Sequence, residues 1–264
     1  MAAKKRKKNR RKKDRGRFWK VLGWIVCGFF AFTILLTLAY RWVNPPITPL
    51  MVIRSLQGEA REKEWKPLDE ISVYMVQAAL ASEDNRFYGH RGFDFGAIQK
   101  AVDYNKTHDK TRGASTISQQ TAKNVFLWPG RSWIRKGFEV YFTFLIEHLW
   151  GKERIMEVYL NVIEMGHGIY GAEAAAQQYF HRPAQRLTSY QAALITACYP
   201  NPRRWNAGHP TAYIAGRAGH IQWLMPKMGK VSFEKEDLQK ARERYLEAEK
   251  KRMEKNGGKR LNFD

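Results

Sequence analysis

Two adjacent carboxylates, Glu83 and Asp84, close an alanine-rich apolar run and open the stretch "EDNRFYGHRGFD". On their own they are compatible with a solvated surface, so a chemical reading needs further residues that call for carboxylates nearby. The segment "RGASTISQQTAKNVF" supplies some. Thr116 and Gln119 stand at capping-box spacing, which predicts a helix starting there with free N–H groups able to attract an anion. Gln120, Lys123 and Asn124 follow at i, i+3 and i+4, placing amides and an ammonium on one helical face. In "PGRSWIRKGFEV", Arg131, Arg135 and Lys136 precede Glu139. Lys136 and Glu139 form either an ordinary surface ion pair or a carboxylate held among cations that together bind a diphosphate. The neighbouring "VFLWPGRSW" mixes aromatic and basic residues, as interfacial segments do, and is equally consistent with core.

Other chemistries lack their signatures. The sequence holds no GxSxG elbow, no metal-spaced His and Cys set, no Walker loop and no Rossmann fingerprint. "SFEK" at 232–235 matches SxxK, but neither SDN nor KTG follows.

The elements that must position these residues read as mainly α. In "PLDEISVYMVQAALAS", Leu68, Ile71, Met75, Val76, Ala79 and Leu80 share a helical face behind Pro67. "GKERIMEVYLNVIEMG" carries Ile155, Met156, Tyr159, Leu160 and Ile163 on one stripe, with Gly166 as its expected stop. "AEAAAQQYF" reads as a further helix, and Thr188 with Gln191 as a second capping box. "MVIRSL" at 51–56 is the best strand candidate. The charged stretch from Phe233 to Arg260 predicts a helix with little apolar face, projecting into solvent and fraying.

The chain has 264 residues and a formal charge of +21, of which residues 1–20 carry +11. Residues 21–40, "VLGWIVCGFFAFTILLTLAY", contain no charge and would cover roughly 30 Å as a helix, the thickness of a bilayer core. Trp19, Trp24, Tyr40 and Trp42 lie near the ends, where amphipathic rings favour the interface. The poor cleavage signal "TLA" argues against a signal peptide. The basic block before the span should stay cytoplasmic, which places everything after Arg41 outside; topology thus explains those cations without nucleic acid. The expected organisation is a basic cytoplasmic segment (1–20), a transmembrane helix (21–40), a linker (41–50), a catalytic domain (51–228) and a charged tail (229–264). The two cysteines, Cys27 and Cys198, support no disulfide framework.

In order along residues 70–210, "EDNRFYGHRGFD", "GASTISQQTAKN", "RKGFE", "KERIMEVYLNVIEMGHGIYGAEAAAQQYF" and "QAALITACYPNPRRWNAGHP" resemble the family 51 peptidoglycan glycosyltransferases. The similarity is to their monofunctional biosynthetic type. The resemblance implies a lysozyme-like, two-lobed helical domain on the periplasmic side of a bacterial inner membrane. Its implied reaction polymerises lipid II into β-1,4-linked glycan by inversion, releasing undecaprenyl diphosphate. By the same resemblance Glu83 is the general base for the incoming 4-hydroxyl, and Asp84 disfavours its ionisation or orients it. Glu139 assists at the diphosphate side. Gln120, Lys123, Asn124, Arg131, Lys136 and Lys152 bind the substrate and its leaving diphosphate, whose charge needs fixed cations. The resemblance leaves room for a divalent cation, magnesium or manganese, at Glu139, and implies no other cofactor. The partners it implies are lipid II, the growing strand, membrane lipids, and other cell-wall synthases or divisome proteins.

A lysozyme-like lytic enzyme is the alternative, since paired carboxylates also describe inverting hydrolases. The cations around Glu139 weigh against it, because hydrolysis needs no diphosphate cradle. Two positions depart from the family pattern. Gln191 stands where glutamate is common, and His167 where other residues are usual.

Overall fold

The computed structural model describes residues 2–108 and 112–255, with side chains from residue 17 onward. The chain divides into two units, residues 1–43 and 44–264.

The first unit is a single helix, α1 (Ala2–Ala39). Its Arg17–Ala39 portion contains an 18-residue stretch of mean hydropathy 2.3 and is long enough to cross a membrane. Within it, Thr33 and Thr37 turn their hydroxyls back onto carbonyls one turn earlier, Thr37 Oγ1 to the Thr33 carbonyl at 2.7 Å. A hydroxyl satisfied in this way is tolerated in hydrocarbon.

The second unit begins with an extended proline segment pinned by Lys63, whose Nζ donates to the carbonyls of Pro45 (2.6 Å) and Pro46 (3.1 Å). Residues 51–56 are helical, against the strand expectation: α2 spans Pro49–Leu56. Thr48 caps it by accepting from the Met51 amide, and Pro49 sits in the first turn, where its missing N–H costs nothing. The short strand β1 (Glu62–Lys63) follows.

The helix expected behind Pro67 is divided. Leu68–Glu70 form a 3₁₀ turn, Ile71 is extended, and Ser72 caps α3 (Val73–Glu83). Asp94 caps α4 (Phe95–Thr107), accepting from the Ala97 amide at 3.0 Å. Thr116 and Gln119 close the expected capping box of α5 (Ile117–Phe126). Ser132 caps α6 (Trp133–Leu149), and α7 (Lys152–Val162) is buried along most of its length from Ile155.

Gly166 does not stop α7. That helix ends at Val162, and Gly166 lies in β2 (Glu164–Gly166), antiparallel to β3 (Ile169–Tyr170). Gly168 makes the hairpin turn at φ +72°, where an added Cβ would lie 2.4 Å from the Ala60 carbonyl oxygen. β1 pairs parallel to β3, giving a small sheet of order β1-β3-β2. Then come α8 (Ala172–Phe180), α9 (Ser189–Ala197) with the second expected capping box, and α10 (Ala212–Leu224).

Two helical groups result. α3, α9 and α10 pack together, as do α5, α6 and α7. A cleft opens between α10 and α5, with the end of α3 at its base.

The last helix, α11 (Lys235–Lys255), does not project into solvent as expected. It docks on the loop after α3. Arg86 Nη1 binds Glu249 at 2.9 Å, and its guanidinium lies 4.4 Å over the Tyr245 ring. Arg242 donates to the Gly89 carbonyl at 2.9 Å. Gly89 is required here, because a Cβ would meet that of Tyr245 at 2.6 Å. The expected fraying beyond residue 255 lies outside the described residues.

Candidate active site

Glu83 is the last residue of α3 and lines the cleft, which has a volume of about 970 Å³. Both of its oxygens accept. Ser82 Oγ donates to Oε1 and Gln120 Nε2 donates to Oε2, each at 2.9 Å. Behind each donor stands another. Arg217 of α10 donates to Ser82 Oγ at 3.4 Å, and the buried Tyr159 hydroxyl donates to Gln120 Oε1 at 3.3 Å. Burial and the nearby Glu83 charge hold the Tyr159 phenol well above its usual range, so it stays a donor. The direction of each relay is thereby fixed toward Glu83, leaving its remaining lone pairs to the cleft.

Asp84 lies beside Glu83 in sequence but serves a different contact set. It is buried; His90 Nε2 donates to both of its oxygens, at 2.9 and 3.0 Å, and the Ile117 amide to Oδ2 at 3.0 Å. The anion expected at the start of α5 is thus the protein's own carboxylate. His90 Nδ1 accepts from the Gly92 amide at 3.1 Å, which puts the ring proton on Nε2. Thr116 Oγ1 donates to the Gly92 carbonyl at 2.7 Å. Asp84 and His90 together lock the end of α3 to the start of α5, which sets Glu83 opposite Gln120. Asp84 acts as a positioning residue.

Lys123 lies one turn beyond Gln120 on α5 and lines the same cleft. Burial pushes its ammonium down, Glu139 pulls it up, and Arg135, Lys136 and Glu83 act on it more weakly. Lys123 therefore joins the cleft to the second charged group. There Glu139 is buried on α6 with both oxygens engaged, by Arg135 Nη1 at 3.2 Å and Lys136 Nζ at 2.5 Å. Among the described residues no group of three or more His, Cys, Asp or Glu could hold a metal ion. A carboxylate flanked by two cations does not fit a resident divalent ion.

The other expected residues are spread more widely. Asn124 donates to the Gln120 carbonyl at 2.8 Å, stiffening the helix that carries Gln120. Arg131 is exposed in the turn between α5 and α6. Lys152 lies outside the cleft walls. Its Nζ binds Glu147 at 2.7 Å and sits 4.4 Å over the Phe87 ring, and burial pushes the ammonium down. The same Glu147 oxygen accepts from Ser118 at 2.5 Å. Lys152 is therefore a buried brace between α6 and α7. The open reading of "VFLWPGRSW" divides: Val125 and Leu127 are core, whereas Trp128 and Trp133 are exposed, Trp133 to 91%.

Sequence reasoning missed Ser82, Arg217, Lys100, Arg112 and His220, all of which line the cleft. Only the i, i+3 spacing of Arg217 and His220 on α10 hinted that they share a face.

A buttressed carboxylate that shares a helical cleft with a half-buried cation suits a group-transfer enzyme with an anionic leaving group. The chain belongs to the transglycosylase family, whose model matches residues 50–226. It is 55% identical over 216 residues to a biosynthetic peptidoglycan transglycosylase of Bdellovibrio bacteriovorus, covering 78% of this chain and 86% of that protein. A protein of the same description from Bacteroides thetaiotaomicron is 53% identical over 228 residues, covering 82% and 92%. A third, from Caulobacter vibrioides, is 54% identical over 188 residues, covering 71% and 82%.

Proposed function

We propose that this chain is a peptidoglycan glycosyltransferase that polymerises lipid II into β-1,4-linked glycan strands. The 4-hydroxyl oxygen of one lipid II attacks the anomeric carbon of the lipid-linked donor from the face opposite the diphosphate. The new C–O bond forms as the bond to diphosphate breaks, and its electron pair leaves on undecaprenyl diphosphate. The hydroxyl proton passes to Glu83. Lys123, helped by Arg131, Arg135 and Lys136, meets the charge that develops on the leaving group. Glu139 holds Arg135 and Lys136 in place.

The observation that carries this reading is the sharing of one cleft by Glu83 and the half-buried Lys123. A lytic enzyme would use the carboxylate but has no task for the cations. The apolar helix Arg17–Ala39 supports membrane anchoring, and the basic residues before it favour a cytoplasmic N-terminus with the catalytic domain outside. The exposed Trp128, Trp133 and Ile134 beside Arg131 and Lys136 suit a surface that takes its substrate from a bilayer. The test is incubation of the full chain in detergent with labelled lipid II. Polymer that muramidase digests supports the reading, whereas cleavage of preformed glycan without polymer would replace it with the lytic one.

A further inference from the structure

A second cavity, about 470 Å³, lies between α11 and the loop after α3. It shares Asn85 and Arg86 as wall with the cleft that Glu83 lines, so the two cavities adjoin. Arg86 is already engaged by Asp94 and Glu249 and acts as wall. Three other cations line the cavity: Lys230, Lys240 and Arg244, against one acid, Asp237. None of the three cations has an ion-pair partner among the described residues, although α11 is rich in glutamates. Lys240 and Arg244 stand at i, i+4 on α11, beside the Ala241 and Tyr245 stripe that docks the helix. The groove thus exists because α11 folds back, and α11 lies beyond the segment matched to the family.

Resting on the proposed function, we propose that this basic groove is a binding site for carboxylates on the peptide stems of the glycan strand. A strand extending from the cleft over Arg86 brings its stems alongside α11. Sugar rings carry no charge there, so the anionic groups available to Lys230, Lys240 and Arg244 are the stem carboxylates. Holding the strand at a second place slows its departure between additions, by the logic of linked sites.

The test is strand binding rather than turnover. Full-length Glu83→Gln protein in detergent is titrated with fluorescent, uncross-linked glycan strands bearing free-acid stems. Lys240→Glu/Arg244→Glu in that background is expected to weaken binding roughly tenfold, from four units of charge change at surface sites. Lys250→Glu/Lys255→Glu makes the same charge change on the same helix away from the cavity, and should bind as the parent does. Strands with amidated stems should bind the parent as weakly as free-acid strands bind the Lys240/Arg244 variant. Equal weakening by both double variants would overturn the proposal, since net charge alone would explain it. So would indifference to amidation, or displacement of the strand by glycerophosphoglycerol, which would make the groove a lipid-headgroup site. The outcome is separable from that of polymerisation. Active wild type with no groove effect rejects the groove alone, whereas groove-dependent binding by an enzyme that makes no polymer rejects the transferase reading alone.

Discussion

The side-chain amide of Gln120 donates to Oε2 of Glu83 at 2.9 Å while its own oxygen accepts the Tyr159 hydroxyl at 3.3 Å. Gln120 is therefore placed to position Glu83, the proposed base, in addition to the substrate contact expected of it. Gln120→Ala should lower kcat about tenfold, the worth of one hydrogen bond to a charged group, with KM for lipid II little changed. Gln120→Glu, which puts a like charge against the base, should be worse. Initial-rate kinetics decide it, and a rise in KM alone would return Gln120 to the substrate.

Lys123 and Lys152 differ in what their loss should do. Lys123→Ala removes a cation from the leaving-group side and should cost about 10²–10³ in the single-turnover coupling rate at near-normal thermal stability. Lys152→Ala leaves Glu147 buried without its partner and should cost about 3–5 kcal/mol of folding stability. Thermal unfolding beside single-turnover rates separates the two.

Asp84→Asn turns an amide toward two donors, the His90 ring and the Ile117 amide. The junction of α3 and α5 should lose about 1–3 kcal/mol, seen as a fall of several degrees in the unfolding midpoint. An unchanged midpoint with lost activity would instead give Asp84 a direct chemical role.

Burial, with Arg61 nearby, pushes the Lys63 ammonium down from the usual 10.5 to about 8. Between those values the unfolded chain binds a proton that the folded chain has released, so stability rises with pH across the window. Lys63→Met should remove that rise. Unfolding midpoints of both proteins from about pH 7 to 10 test it; parallel curves would show Lys63 to be solvated.

Local signals in the sequence carried far. Both capping boxes and the α5 face that joins Gln120 to Lys123 follow from spacing alone. Residues 51–56 misled because a short apolar run fits strand or helix equally, and the decision lies just upstream in Thr48 and Pro49. The docking of α11 depends on Glu249 meeting Arg86 across 163 residues, and the relay to Ser82 on Arg217 across 135. Neither pairing leaves a periodic trace. The contacts of Asp84 stay hidden for a related reason. Its neighbour in sequence is Glu83, but its partners are His90 and the first amide of α5.

The most direct test of Glu83 as general base is the single-turnover coupling rate of Glu83→Gln in detergent with labelled lipid II, read beside its unfolding midpoint. The glutamine keeps the shape of the side chain and cannot take the proton. The rate should fall by about 10²–10⁴ with the midpoint in place. Polymerisation at a near wild-type rate would contradict the assignment and move the proton-accepting role to another group in the cleft.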